Sequence, residues 1–386
     1  MGPDDGIGSL PRASRRVALL GDVSRRRGAS QGGTGVALVR LANGLNRVGA
    51  PPLIITAHPR RFDDYGESIM TGVGLVAIGN GPRAGQLVRM ILSVLAYRVG
   101  VVVAQDTRAI DLGLAAKRIL GNRLRLVCAI HNISVVRPEN DATRERRKVR
   151  RFNRMARLAD GILAVSPGVG AMIRKRADFS AVPVRVIPNP AQDVERTGSA
   201  QKNKVPRPDP RAAHVVSVGR LEPEKDQSSL LRAFAELVAK HRFDANLSIL
   251  GEGNQRRELE RLAVDLGIDD RVHMPGFVRH PLAYMADADV FALSSSHEAF
   301  GYVLLEALSV GLPVVSTDCP TGPAFILQDG DYGRLVPVGD VSALARGMAA
   351  ALADPGPSEP RRERALAFAP EAVGRMYLRF FAEVGA

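Results

Sequence analysis

Cysteine is scarce: the 386 residues carry two, Cys128 and Cys319. Two cysteines build neither a disulfide framework nor a Cys/His zinc site, which points to a reducing compartment. Long apolar runs are missing as well. The most apolar stretch, residues 87–103, is broken by Arg89 and Arg98. It reads as a helix followed by a strand rather than as a span of about 20 residues. The first residues have no apolar core before their basic residues, which argues against a secretory signal. Gly6 breaks the myristoylation pattern, and residues 1–14 read as a disordered leader. Acidic residues are thin in the first half. Residues 1–200 hold 32 basic and 15 acidic side chains, whereas residues 201–386 hold 21 and 25. The formal net charge of +13 therefore belongs to one half of the chain, and such asymmetry suggests two domains with different partners.

What is present is ordinary for a globular protein: 45 % hydrophobic and 24 % charged residues, which excludes global disorder and fibrous repeats. At 41.4 kDa the length suits about two to three domains. The densest basic run is 144–157, with eight basic residues and one acidic. Val149, Phe152 and Met155 punctuate it at three-residue spacing, as in a helix with a narrow apolar stripe. Arg144, Arg147, Lys148, Arg151 and Arg154 could meet an anionic membrane surface or acceptor phosphate. A solvated helix face is the alternative. Nucleic acid is disfavoured, because aromatic residues are not interleaved with the cations.

Short apolar runs of buried-strand type recur at 15–21, 53–57, 101–105, 125–130, 161–166 and 184–189. A glycine-rich turn, 28–35, leads into a helix over 36–48 with Leu38, Leu41 and Leu45 on one face. A polar stretch at 195–211 reads as a linker. The alternation then restarts, with strands at 214–219, 246–251, 289–294 and 313–317 and helices at 228–240 and 302–310. A last helix over 371–384 carries Met376, Phe380 and Phe381. Strands alternating with helices imply parallel sheets covered on both faces. The expected domains are 15–194 and 212–368, with 369–386 as a closing helix. Open α/β sheets bind ligands at the carboxyl ends of their strands.

Several groups sit at such ends. Arg220 and Lys225 follow a strand directly, and a forked cation beside a point charge suits a diphosphate. A surface turn with ordinary salt bridges is the plain alternative. Glu298 precedes Gly301, and Glu306 lies eight residues on in the next helix. Two turns of helix would face these carboxylates alike but well apart. The amides of Phe300, Gly301 and Tyr302 at that helix start could hold phosphate. His131, beside Asn132, ends a strand in the basic half. The loop around Gly32 and Gly33 lacks the dinucleotide fingerprint and the P-loop lysine, yet leaves room for backbone to approach phosphate. The pair Asp287 and Asp289 sits where a helix runs into a strand, a poor place for a metal, and no metal site is expected.

The segments VSVGRLEPEKD, HEAFGYVLLEALSVGLPVVSTDCPTGPAFIL and YGRLVPVGD, in this order, resemble glycosyltransferase family 4. The resemblance covers nearly the whole chain and is strongest from Val216 to Asp340. GGTGVALVRLANGL and AIHN fit it in the first half. It implies the GT-B fold: two Rossmann-like domains facing a cleft, with the last helix crossing back to the first domain. It implies retaining, metal-independent transfer from a nucleotide sugar as co-substrate, with no other cofactor. By position, Arg220 and Lys225 would neutralise the leaving diphosphate. Glu298 would bind the donor sugar and Glu306 the ribose. Gly32 and Gly33 would approach the phosphates, His131 would touch the donor sugar, and Gly276 and Phe277 would lie by the base. Relatives with Cys-Pro-x-Gly-Pro usually carry Glu where this chain has Phe325. The CPTGPxxIL form resembles users of UDP-sugars, hexoses or N-acetylhexosamines, in envelope polysaccharide assembly. The expectation is a cytoplasmic enzyme, peripheral on the inner face of the membrane, acting on a glycan or lipid-linked acceptor. GDP-mannose with a soluble acceptor and a degenerate partner subunit are the alternatives.

Overall fold

A computed structural model describes residues 16–21, 33–57, 69–131, 133–136, 138, 140–192 and 209–385. It divides into two compact units, residues 1–190 with 370–386, and residues 191–369. The leader, Gly32, Asn132 and most of the stretch read as a linker lie outside the described residues.

The first unit is built on a seven-stranded sheet. Its strands are β1 (Arg16–Leu20), β2 (Leu53–Thr56), β3 (Gly74–Ala77), β4 (Val99–Ala104), β5 (Arg125–Ile130), β6 (Gly161–Ala164) and β7 (Val184–Val186). They run in the order β3-β2-β1-β4-β5-β6-β7, and every pairing is parallel. Central strands are buried on both faces, which is why β4 reads as an unbroken apolar run. Edge strand β3 alternates between half-buried and exposed residues. The helix Gly33–Arg47 begins three residues earlier than the sequence pattern suggests, so Gly33 is its first residue rather than part of the glycine loop.

The closing helix, Pro370–Glu383, belongs to this unit. Two glycines let it lie directly on Gly33–Arg47. A Cβ at Gly44 would fall 2.0 Å from the Pro370 carbonyl oxygen, and one at Gly374 would fall 3.0 Å from Gly44 backbone. Arg47 pairs with Glu371 at 2.5 Å. Val373, Tyr377, Phe380 and Phe381 join Leu38, Leu41 and Leu45 in one core cluster. Met376, on the same helix, is 37 % exposed.

The second unit holds six parallel strands: β8 (Ala213–Val218), β9 (Ala245–Leu250), β10 (Val272–Gly276), β11 (Val290–Leu293), β12 (Val314–Thr317) and β13 (Arg334–Val336). Their order is β10-β9-β8-β11-β12-β13. Chain order therefore reverses between β8 and β11, as it does between β1 and β4 in the first unit. Such a reversal opens a crevice at the carboxyl ends of the two strands. Helix caps fix the elements around it: Asp226 accepts from the Ser229 amide, and Asp340 from the Ala343 amide. The second unit includes Ala191, whose amide donates to the Phe368 carbonyl at 2.7 Å. No helix among the described residues is long and apolar enough to cross a membrane.

Candidate functional site

At the reversal in the second sheet, three loops leave the carboxyl ends of β8, β9 and β10. Glycines let them stack backbone on backbone. A Cβ at Gly251 would sit 1.8 Å from the Gly219 carbonyl oxygen, and one at Gly253 would sit 2.1 Å from that of Leu221. Backbone hydrogen bonds join the layers, Leu221 to Glu252 at 2.9 Å and Gly251 to Gly276 at 2.8 Å. Gly276 takes φ +87°, a conformation suited to glycine, and Phe277 beyond it is 50 % exposed.

The β8 loop carries the cations. Arg220 leaves the strand end with its side chain 44 % exposed, meeting Glu224 at 2.7 Å. Its carbonyl accepts from Gln227 Nε2 at 2.8 Å, which fixes the backbone. Lys225 turns inward. It forms an ion pair with Glu298, the two side chains being 17 % and 11 % exposed. Ser295 Oγ also donates to Glu298 Oε1, at 2.9 Å. Both partners are thus held by the loops after β8 and β11. Ser294 Oγ donates to the Lys225 carbonyl and the Ser296 amide to that of Glu224, each at 2.9 Å. These bonds lock the two loops together across the reversal.

Glu298 does not lie on a helix. It bridges Thr321 as an isolated parallel pair, and the helix begins at Tyr302, so helix geometry does not set the Glu298–Glu306 separation. Glu306 sits half-buried in the second turn of Tyr302–Ser309. Gly301 caps that helix at φ +98°, with Phe300 buried ahead of it. Thr321 is held at φ +92°. A β-branched residue there is strained by about 1–3 kcal/mol, and its hydroxyl donates to the Glu298 carbonyl. Gly322 next to it has no room for a Cβ, which would fall 2.2 Å from the Phe300 carbonyl oxygen.

Phe325 has a clear physical place. Its ring meets Phe368 edge-on at 5.9 Å, and Phe368 meets Phe300 at 6.1 Å. Arg364 lies over Phe368 at 4.9 Å and donates to the Phe325 carbonyl at 2.7 Å. An aromatic wall thus backs the helix start. Cys319 is buried beside it. Burial, with the Glu298 carboxylate adding, pushes its thiol up to about 12, so it is an inert apolar filler. Asp289, half of the weighed metal pair, accepts the His214 amide at 2.8 Å and ties β8 to the start of β11.

His131 belongs to the first unit, just past β5. Its Nδ1 meets Asn189 Oδ1 at 2.7 Å, which assigns the proton to Nδ1 and leaves Nε2 as an acceptor. That Nε2 is buried without a partner. Burial lowers the imidazole pKa to about 4, against a smaller upward pull from Asn189, so the ring is neutral at pH 7. Gln105, missed in the sequence, follows β4 at the first sheet's reversal. It is 2 % exposed, and neither amide atom has a hydrogen-bond partner. The glycine pair 251 and 253 was also missed, although an apolar strand ending in Gly-x-Gly is a readable signal. Of the basic helix, Ala142–Leu158, Arg147, Arg151 and Arg154 line one cavity together with Arg83 and Arg150. Arg144 and Lys148 lie outside that lining.

Chemically, the second unit offers a forked cation, a lysine and a carboxylate at one sheet reversal, walled by glycine backbone and an exposed ring. The family model described as glycosyl transferases group 1 matches residues 199–369, and that of glycosyltransferase family 4 matches 31–193. The lipopolysaccharide core biosynthesis glycosyltransferase LpsE of Rhizobium meliloti is 39 % identical over 140 residues, 36 % of this chain and 39 % of that protein. A Campylobacter jejuni diphospho-undecaprenol 4-alpha-N-acetylgalactosaminyltransferase is 36 % identical over 140 residues, 36 % of this chain and 37 % of that protein. The chain thus spans about two fifths of these curated relatives. Anabaena HepE, solved in complex with UDP, shares the fold with a TM-score of 0.74 at 20 % identity, over 95 % of this chain and 100 % of that one. With both family models matched and both sheets in Rossmann order, the chain belongs to the GT-B glycosyltransferases of family 4.

Proposed function

We propose that this protein is a retaining, metal-independent glycosyltransferase. It moves a hexose or N-acetylhexosamine from a UDP-sugar to a lipid-linked or polysaccharide acceptor in cell-envelope glycan synthesis. The observation that carries the reading is the Arg220, Lys225 and Glu298 cluster at the β8–β11 reversal. The two cations stand where a diphosphate would enter, and fixed positive groups at a departing phosphate stabilise the charge that develops there. Glu298 Oε1 is taken by Lys225 and Ser295. Its second oxygen is left to accept sugar hydroxyls. Phe277 offers a ring for the base, and Glu306 a carboxylate for the ribose. His131 Nε2 would accept a donor hydroxyl, and Gly32 and Gly33 would approach the phosphates.

In the reaction, the bond from the anomeric carbon to the diphosphate oxygen breaks. A bond from the acceptor oxygen to that carbon forms on the same face. The acceptor proton passes to the departing phosphate, so no protein nucleophile is needed. UDP as the nucleotide is supported by the HepE complex. A lipid-linked acceptor is supported by the name of the Campylobacter relative. Placement at an anionic membrane is supported by the basic helix. Phe325 has a structural place, packed edge-on against Phe368, and activity of the chain separates a transferase from a degenerate subunit.

The test is transfer from a panel of UDP- and GDP-sugars to lipid-diphosphate-linked acceptors in excess EDTA, with the product anomer read by NMR. Transfer from a UDP-sugar with retained configuration is expected. Dependence on added metal, an inverted anomer, or transfer from GDP-mannose alone would overturn the corresponding part.

A further inference from the structure

Val103 of β4, Ala129 of β5 and Ile187 just after β7 belong to the core cluster of the first sheet, together with Leu38, Leu41, Val373 and Phe380 of its two covering helices. Side chains alternate between the faces of extended chain. Two residues on from each of the three, the same face therefore carries Gln105, His131 and Asn189. The apolar core ends, at the carboxyl ends of these strands, in one polar layer. Asn189 Oδ1 meets His131 Nδ1 at 2.7 Å, as residues of a shared face can. Strand β1 adds no side chain to the layer. Its residue there is Gly21, where a Cβ would fall 2.8 Å from Leu38 and 3.6 Å from the Gln105 Cβ.

Among the described residues, three buried atoms of this layer have no hydrogen-bond partner: Gln105 Oε1, Gln105 Nε2 and His131 Nε2. Buried side-chain polar atoms are paired in the large majority of cases, because an unpaired one carries a desolvation cost that nothing offsets. A leucine would fill much the same volume without that cost. The register pairs Ala104 with Cys128, so Gln105 lies opposite Ala129, two residues short of the level of His131. With strands about 4.8 Å apart and a rise of about 3.3 Å per residue, the two Cα atoms stand about 8 Å apart. The unmade bonds describe a ligand. Gln105 Oε1 and His131 Nε2 accept, and Gln105 Nε2 donates. A hydroxyl both donates and accepts, so two neighbouring hydroxyls would satisfy all three atoms. The layer offers no cation to a phosphate, because burial keeps the imidazole neutral at pH 7.

We infer that Gln105 and His131 together hold two neighbouring hydroxyls of one pyranose at the carboxyl ends of β4 and β5, which makes Gln105 a specificity-determining residue of the transfer. The inference deepens the transferase reading above and rests on it. Donor sugar and acceptor glycan both bring pyranose hydroxyls, and the chemistry that Gln105 recognises is the same in either. Removing or inverting one of the two hydroxyls leaves a buried polar atom unpaired again, which is how a site built on hydrogen bonds rejects a close analogue.

Gln105→Leu in the full chain is the test. Without ligand it should raise the thermal unfolding midpoint by about 2–4 °C, since it removes two unpaired polar atoms at nearly constant volume. A lowered midpoint would mean that the amide is already satisfied, and it overturns the proposal. Calorimetric titration of UDP, UDP-glucose, UDP-galactose and UDP-N-acetylglucosamine in EDTA then identifies the source of the pyranose. UDP should bind both forms equally. If the donor supplies the hydroxyls, the tightest UDP-sugar should bind the leucine form about tenfold more weakly, the factor for one neutral hydrogen bond. If the acceptor supplies them, the UDP-sugars bind both forms alike. Saturation-transfer NMR with methyl α-glucoside, methyl α-galactoside and methyl α-N-acetylglucosaminide, at saturating UDP, then loses its signal only in the leucine form. UDP-sugars bound equally, with glycoside signals equal or absent, overturn the inference alone. Failure of UDP to bind either form refutes the transferase reading beneath it.

Discussion

Replacing Arg220 with alanine should separate donor binding from folding. The side chain is nearly half exposed, and its ion pair with Glu224 is an i,i+4 pair with both partners open to water. Such pairs contribute about 0.3–0.5 kcal/mol. The Gln227 bond goes to the Arg220 carbonyl, which alanine retains, so the loop keeps its anchor. Stability in urea should therefore fall by no more than about 0.5 kcal/mol. Binding of UDP loses charge-assisted hydrogen bonds to phosphate, together about 1.5–3 kcal/mol. That corresponds to about ten- to a hundredfold in Kd. Calorimetric titration of UDP and denaturant unfolding, on wild type and Arg220→Ala, give both numbers. A variant that binds UDP as well as wild type would remove Arg220 from the donor site. A stability loss beyond about 1 kcal/mol would show that the residue is structural.

Lys225→Ala should behave differently, because it strands Glu298 among half-buried neighbours. Breaking a pair this enclosed costs about 3 kcal/mol, so the unfolding midpoint should drop along with UDP binding, and an unchanged midpoint would contradict the pairing. Gly251→Ala would drive a Cβ into the Gly219 carbonyl. Displacing the β8 loop should cost about 1–3 kcal/mol and weaken UDP binding, and a neutral outcome in both assays would deny the backbone stacking. His131 sets a pH dependence. Its folded pKa, about 4, lies below the ordinary 6.5, so between these values the unfolded chain binds the extra proton. Stability should fall as pH drops through that window, by at most about 1.4 kcal/mol per unit from this group. Thermal unfolding of His131→Asn should show a shallower slope, and an identical slope would mean the ring is not desolvated.

Much of the architecture is legible because doubly buried strands are short apolar runs, as in β5 and β9. The edge strands β3, β10 and β13 were not read. They are half-exposed, three to five residues long, and include glycine, proline or charge. Arg220, Lys225 and Glu298 were readable because they lie in the loops that leave β8 and β11. The use of Lys225 as the partner of Glu298 was not, since 73 residues separate them. The roles of Gly251 and Gly253 are likewise long-range, fixed by carbonyls of another loop. The arginine cavity joins three helices, so the face in the run 144–157 was legible and Arg83, far off in the chain, was not. Phe325 looked like a departure in the linear pattern, and its aromatic partner Phe368 lies 43 residues on.

The central claim is that the β8–β11 reversal binds uridine diphosphate through protein cations without a metal. Titrating UDP, GDP and ADP into the full chain in EDTA tests it most directly. UDP should bind at least tenfold more tightly than the other two, a difference of about 1.4 kcal/mol, and at a hundredfold excess over Kd should stabilise the fold by about 2.7 kcal/mol. Binding of GDP alone, binding that needs a divalent ion, or no binding of any nucleotide would contradict it.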